Sequence, residues 1–423
     1  MMQPNHHQNI YLERYAHPTR YFEEVPDFDP GLIVVIPVYD EPDLISSLNS
    51  LGQCHAPNCT VGIIIVINAS EKDAQSVKQR NIETHYLVQE WININKTNWL
   101  HGFVIMDNEL PAKHAGVGLA RKIGMDEAVR IFEDKNINGI IICFDADTLC
   151  QPNYFKAIEE HFAKNIDTPG CSIHFEHPIE GHHDKALYEG IMNYELHLRY
   201  YINALKLTGF PNAHQTIGSS MAVRSYAYQK QGGMNKRKAG EDFYFLNKII
   251  ALGNFTELKT TCVIPSPRTS HRVPFGTGKA VNDWINEIGQ VGYSYAPETF
   301  TDLKQLISKI SELYQVDAIS YESFHQSMPQ SIQTFLDHLK FFDVILQINL
   351  HSSTRTSFIK RFYLWFDSFR ILKFVHHSRD NFHPNIPVSL ACKWLLEMLK
   401  LKTDQSPGIK QQLQVLRDHD RHS

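Results

Sequence analysis

Three stretches built on runs of apolar, mostly branched residues, GLIVVIPVY (31–39), VGIIIVIN (61–68) and INGIIICFDAD (137–147), most constrain what this chain can fold into. A strand that is apolar at nearly every position cannot turn one face to water, so both of its faces must be covered. The segments between and after these runs read as helices. DEPDLISSLNSL sets Leu44, Ile45, Leu48 and Leu51 on one face behind charged and capping residues, and a polar helix follows from Glu71. HAGVGLARKIGMDEAVRIFEDK (114–135) is helical after a glycine-containing entry, and QPNYFKAIEEHF carries Pro152 in its first turn. Strands alternating with helices predict an α/β fold with a doubly wound, mostly parallel sheet and helices on both faces.

In such sheets ligands bind beyond the carboxyl ends of the strands. Tyr39, Asp40, Asn68, Asp145 and Asp147 all fall there. The 423 residues suffice for more than one domain. The pattern predicts an N-terminal extension over 1–30, a catalytic domain over 31–280 and a helical C-terminal region over 281–423.

Composition narrows the function classes. A net charge of −5 argues against a general nucleic-acid binder, which would carry a basic surplus. Seven cysteines form no CxxC pair, as expected of reduced thiols in a cytoplasmic protein. There is no apolar leader at MMQPNHHQNIYLERY and no run of roughly 20 apolar residues. The expectation is a soluble cytoplasmic protein, at most peripheral at the inner membrane face. FIKRFYLWFDSFRILKFV (358–375), with interleaved aromatic and basic residues, reads first as a helix packed on the catalytic domain or a partner. Its second reading is a membrane-surface contact.

The Asp-x-Asp of IIICFDADT admits two chemistries. Paired carboxylates at a strand end can hold a divalent cation, which takes hard oxygen ligands and bridges diphosphate oxygens. Alternatively Asp145 attacks phosphorus as the nucleophile and Asp147 acts as acid/base, the arrangement of haloacid-dehalogenase-like phosphatases. That second pattern would find a late acidic motif in Gly240-Glu241-Asp242, but its strand normally opens the domain, and here two strand–helix units precede it.

VVIPVYDEP (34–42), GVGLARKIGMDEA (116–128), FDADTLCQPNYF (144–155), IGSSMAVRSYAYQKQGGMNKRKAGEDFYF (217–245) and SPRTSHRVPFGTGKA (266–280) together resemble, in order and spacing, the GT-A fold nucleotide-sugar glycosyltransferases, specifically family-two-like enzymes. The resemblance covers roughly 31–280. It implies a UDP- or GDP-sugar donor, a hydroxyl acceptor (glycan, lipid-linked or small molecule), and Mn²⁺ or Mg²⁺ bound by Asp147 with Asp145 and His271.

By the same resemblance Asp145 also reaches the ribose. Pro37, Tyr39 and Glu41 form the base-binding edge, and Arg121, Arg268 and Arg272 lie by the diphosphate. Gly218 and Ser219 let the backbone approach the sugar. Asp242 is the general base of an inverting transfer, with Glu241 orienting the acceptor or the loop. Asn68 departs from the family, which commonly has Asp at that position. Lys236, Arg237 and Lys238 are candidates for an anionic acceptor or simply a solvated loop. FGTGK fails the Walker pattern, because Val273 and Ala280 stand where glycine and Ser/Thr are required, and reads as a lid. A nucleotidyltransferase would need a glycine-rich basic turn where PVYDEP is acidic, and a non-catalytic nucleotide-sugar binder would leave Asp242 idle.

Overall fold

A computed structural model describes residues 9–24, 26–269, 276–289, 291–404 and 407–423. The chain forms two compact units: one comprises 1–181, 216–279 and 420–423, the other 182–215 and 280–419.

The first unit is built on an eight-stranded sheet. Its strands are β1 (Pro30–Val38), β2 (Thr60–Ser70), β3 (Leu100–Leu110), β4 (Ile140–Cys143), β5 (Leu149–Cys150), β6 (Gly170–Phe175), β7 (Met221–Arg224) and β8 (Thr256–Ile264), in the order β3-β2-β1-β4-β7-β6-β8-β5. The β3-β2-β1-β4 half and the β6–β8 pair are parallel; β7 runs antiparallel to β4 and β6, and β5 antiparallel to β8. The predicted α/β, mostly parallel sheet is what the chain forms.

Its helices are α1 (Ile10–Arg14), α2 (Leu44–Gly52), α3 (Gln75–Asn95), α4 (Val117–Asp134), α5 (Tyr154–Lys164), α7 (Ser225–Lys230) and α8 (Glu241–Ile250), while α6 (Lys185–Thr208) belongs to the second unit. Both faces of the sheet are covered. Gly124 of α4 lies against Val35 and Val66, whereas Gly102, the register partner of Ile63, lies against Ile92 of α3. Val66 and Ile63 differ in parity along β2, so α4 and α3 sit on opposite faces.

The N-terminal residues are more than an extension. Helix α4 buries a line of charges, Arg121, Lys122, Asp126, Glu127 and Arg130, and buried charges need partners. Residues 9–21 supply many of them. Asp126 accepts from Tyr11 Oη (2.6 Å), the His17 backbone N–H (2.6 Å) and Tyr228 Oη (2.7 Å), and pairs with Lys122 (3.0 Å). Glu127 accepts from the Tyr21 backbone N–H, and Tyr11 itself lies in the core. Residues 9–21 thus cover α4 and partner its buried charges.

The second unit is helical, as predicted for the C-terminal region, but it also takes in α6, which lies inside the predicted catalytic span. Helix α6 packs against the helices Pro297–Lys309 and Val388–Met398. Within it Glu195 is fully buried and bonds Arg199 Nε (2.8 Å), Arg417 Nε (2.8 Å) and Arg417 Nη2 (2.7 Å). The 358–375 stretch is two helices, Arg355–Trp365 and Ser368–Asn381, not one. Phe358, Phe362, Phe366, Ile371, Phe374 and Val375 are all buried and make core. Among the described residues no helix is long and apolar enough to cross a membrane.

Candidate active site

Three structural ends of the first unit supply one acidic centre. Strand β1 ends at Val38 and delivers Tyr39, Asp40 and Glu41; β4 ends at Cys143 and delivers Asp145 and Asp147; α8 begins with Glu241 and Asp242. Asp40 adopts φ 47°, a conformation costly for a non-glycine residue, and is held by Arg80 through bonds of 2.5 and 2.7 Å. The turn carrying Asp145 is closed by Thr148 N–H donating to Asp145 O (3.1 Å) and braced from α2, where Ser47 Oγ donates to Ala146 O (2.9 Å).

Arg121 links two of these ends. Its side chain, 3% exposed, donates from Nη2 to Asp145 and from Nη1 to Glu241. Burial disfavours its charge, but Asp145 and Glu241 outweigh that and hold the guanidinium firmly protonated. Arg121 is thus a buried cross-brace between two carboxylates.

Gly218 explains how that brace fits. A Cβ built there would stand 2.5 Å from Arg121 Nη1 and 2.6 Å from Nη2, so glycine makes room for the guanidinium. Ser219 is buried too. The small-residue turn is accordingly packed around Arg121.

Arg268, after β8, gathers the other carboxylates. Its Nη2 reaches Glu41 Oε1 (2.8 Å) and Asp147 Oδ2 (3.1 Å), and its Nη1 reaches Asp43 Oδ2 (2.8 Å). Burial, then Asp145 and Glu41, push the Asp147 carboxyl up to about 6, while Arg268 pulls it back. At α8 burial raises both Glu241 and Asp242 above the ordinary carboxylate range, with Arg121 opposing it. Asp242 is half-buried, and its Oδ1 accepts from Phe243 N–H (2.7 Å). The cap of α8 is Gly240 in the left-handed region, so Glu241 and Asp242 lie in the first helical turn rather than at the cap.

The remaining predicted residues are placed as follows. Pro37 is buried within β1, opposite Val66 of β2. Asn68 is buried at the end of β2 with Nδ2 donating to Val38 O (2.7 Å), which ties it to β1. Tyr39 is partly exposed next to them. His271 and Arg272 lie outside the described residues, as does Phe275 of the predicted lid, whose residues from Thr277 enter a helix over Thr277–Ile285. The basic loop is largely engaged: Arg237 stacks on Tyr244 at 3.6 Å, and Lys238 Nζ donates to Ala112 O (2.8 Å). Asp43 was not singled out from the sequence. The only signal for it was the density of acid in DEPD.

No protein-family model matches the chain, and no curated protein does. Among solved structures, Staphylococcus aureus TarS residues 1–349 in complex with UDP-GlcNAc matches at 13% identity and TM-score 0.39, over 72% of this chain and 84% of that one. The mannosyltransferase PcManGT from Pyrobaculum calidifontis, in complex with GDP-Man and Mn²⁺, matches at 13% identity and TM-score 0.36, over 87% of this chain and 91% of that one. Likeness at this level says nothing of what this chain binds.

Proposed function

We propose that the chain is a metal-dependent glycosyltransferase that moves a sugar from a UDP- or GDP-sugar to a hydroxyl acceptor with inversion. The observation supporting this reading is the convergence of Glu41, Asp145 and Asp147 at the strand ends with Glu241 and Asp242 at the start of α8, arranged around two arginines. Asp145 serves the phosphatase alternative poorly, because its carboxylate is bonded to Arg121 and its strand stands fourth, in mid-sheet.

The donor set suits a divalent cation. It consists of hard carboxylate oxygens, and three of them, from Glu41, Asp43 and Asp147, already converge on one positive group in Arg268. Asp147 and Asp145 would hold the cation, which would neutralise charge on the departing diphosphate.

Asp242 accepts the acceptor hydroxyl's proton as that oxygen attacks the anomeric carbon and the bond to the diphosphate breaks. A carboxylate raised above its ordinary range is a stronger base for this step than a solvated one. Glu241 does not take the proton, being fixed on Arg121; it orients the start of α8. Tyr39, at the edge of β1, stacks on the base.

Thermal-shift binding of UDP, GDP and their sugars, each with and without Mn²⁺, tests the donor site. Metal-dependent stabilisation by one nucleoside diphosphate is expected. No shift with any nucleotide, together with turnover of a phosphomonoester, would replace this reading with the phosphatase. Asp242→Asn is expected to abolish turnover while donor affinity stays.

A further inference from the structure

Among the described residues, one set of metal-ligating side chains comes together, and it lies outside the acidic centre. His174 and Glu176 stand two residues apart at the end of β6 and so leave the same face of the sheet. β6 runs parallel to β8 with Phe175 opposite Val263, which places Cys262 beside His174 on that face. One nitrogen of His174, one carboxylate oxygen of Glu176 and Cys262 Sγ all lie within 4.8 Å of one another. His174 is 8% exposed and Cys262 2%, so backbone pairing and packing hold two of the three in place.

Their bonds include an imidazole–carboxylate contact, His174 Nε2 to Glu176 Oε1 at 2.9 Å, and Arg421 Nε donating to the same oxygen at 3.1 Å. The Cys262 thiol points to Val263 O at 3.3 Å. An ion pair accounts for Glu176 beside Arg421, but it does not require a thiol at the third corner.

We propose that His174, Glu176 and Cys262 form a zinc-binding site separate from the carboxylates at Asp145 and Asp147. Imidazole, carboxylate and thiolate together suit the borderline-soft Zn²⁺, whereas Mn²⁺ and Mg²⁺ favour all-oxygen sets. Three protein ligands leave one tetrahedral position for water. On binding, Cys262 releases its thiol proton to solvent and its sulfur bonds the metal. His174 Nε2–H, which now donates to Glu176, gives up that proton as the ring takes its other tautomer, protonated at Nδ1, so that the Nε2 lone pair meets the ion, and Arg421 stays on the carboxylate as its outer partner. The ion would join β6 to β8, the strand that leads to Arg268. This site does not depend on the glycosyl-transfer reading.

The test is cobalt substitution of the full-length, metal-stripped chain, followed by absorbance. A thiolate-to-cobalt charge-transfer band is expected in the wild type and in Asp147→Asn, and is expected to vanish in Cys262→Ser and in His174→Gln. Zinc is expected to raise the melting temperature of the wild type and not of those two variants. Far-UV circular dichroism checks that each variant folds; if one does not, the other decides. No band in the wild type, or a band that survives Cys262→Ser, overturns the proposal.

Discussion

Gly218 and Arg121 are in contact through an absent methyl group: the space where a Cβ would sit is filled by the guanidinium that joins Asp145 to Glu241. Gly218→Ala is therefore expected to displace the brace while the sheet stays intact. Overpacking of this kind costs about 1–3 kcal/mol. The measurement is a denaturation midpoint together with nucleotide-diphosphate affinity, both of which should fall. An alanine variant indistinguishable from wild type in both would mean that Arg121 has another place to go.

Removing the brace itself should be worse. Arg121→Ala leaves Glu241, whose side chain is 4% exposed, without its cationic partner. Breaking a buried pair from one side typically costs about 3–5 kcal/mol. Arg121→Lys restores the charge but not the fork, so it should recover part of the stability and little of the activity. Urea denaturation of the three proteins reads this order directly.

Asp147 carries a pH signature. Burial and the neighbouring carboxylates hold its carboxyl up at about 6, and a protonated carboxyl does not ligate a cation. Mn²⁺ affinity is expected to fall as pH drops through about 6, and Asp147→Asn should remove that dependence along with most of the affinity. The sign for stability is opposite: an acid whose folded value is raised costs the fold free energy once pH exceeds its unfolded value. Asp147→Asn should then stabilise the metal-free protein at neutral pH, by at most about 3 kcal/mol before solvent screening reduces it. Calorimetric titration and thermal melting at two pH values separate the two effects.

His197, in the second unit, titrates the other way. Burial lowers it to about 4, and it meets Ser294 Oγ at 2.8 Å. A base with a depressed folded value resists protonation that the unfolded chain accepts. Its contribution is complete above 6.5, the ordinary value, and is lost as pH falls towards 4. The difference in melting temperature between wild type and His197→Gln should change across that window and stay flat above it.

Much of this architecture was legible in the sequence because β1, β2 and β4 are buried on both faces and so lack polar interruptions. β3 was not, since LHGFVIMDNEL lies at the edge of the sheet and alternates little. The acidic centre was legible as a set of residue types at strand ends. Their pairing was not, because Arg121 meets Glu241 across 120 positions and Arg268 meets Glu41 across 227. Nothing local distinguishes an arginine aimed at a diphosphate from one locked between carboxylates. Nor does a glycine announce whether its space serves a ligand or a side chain of the same chain; Gly118, whose added Cβ would overlap Arg237 O, also serves packing.

The partner of Glu195 has a consequence for how the chain is made. Helix α6 is synthesised early, yet one of the two arginines that neutralise Glu195 is Arg417. As the nascent polypeptide leaves the ribosome, α6 must wait with a carboxylate that cannot be buried alone, while 216–279 of the other unit emerges between it and its companions. The second unit cannot close on Glu195 until Arg417 has been translated. Folding of α6 into its unit thus waits on sequence 222 positions downstream, and a chain cut before Arg417 should leave the second unit open to quality-control proteases.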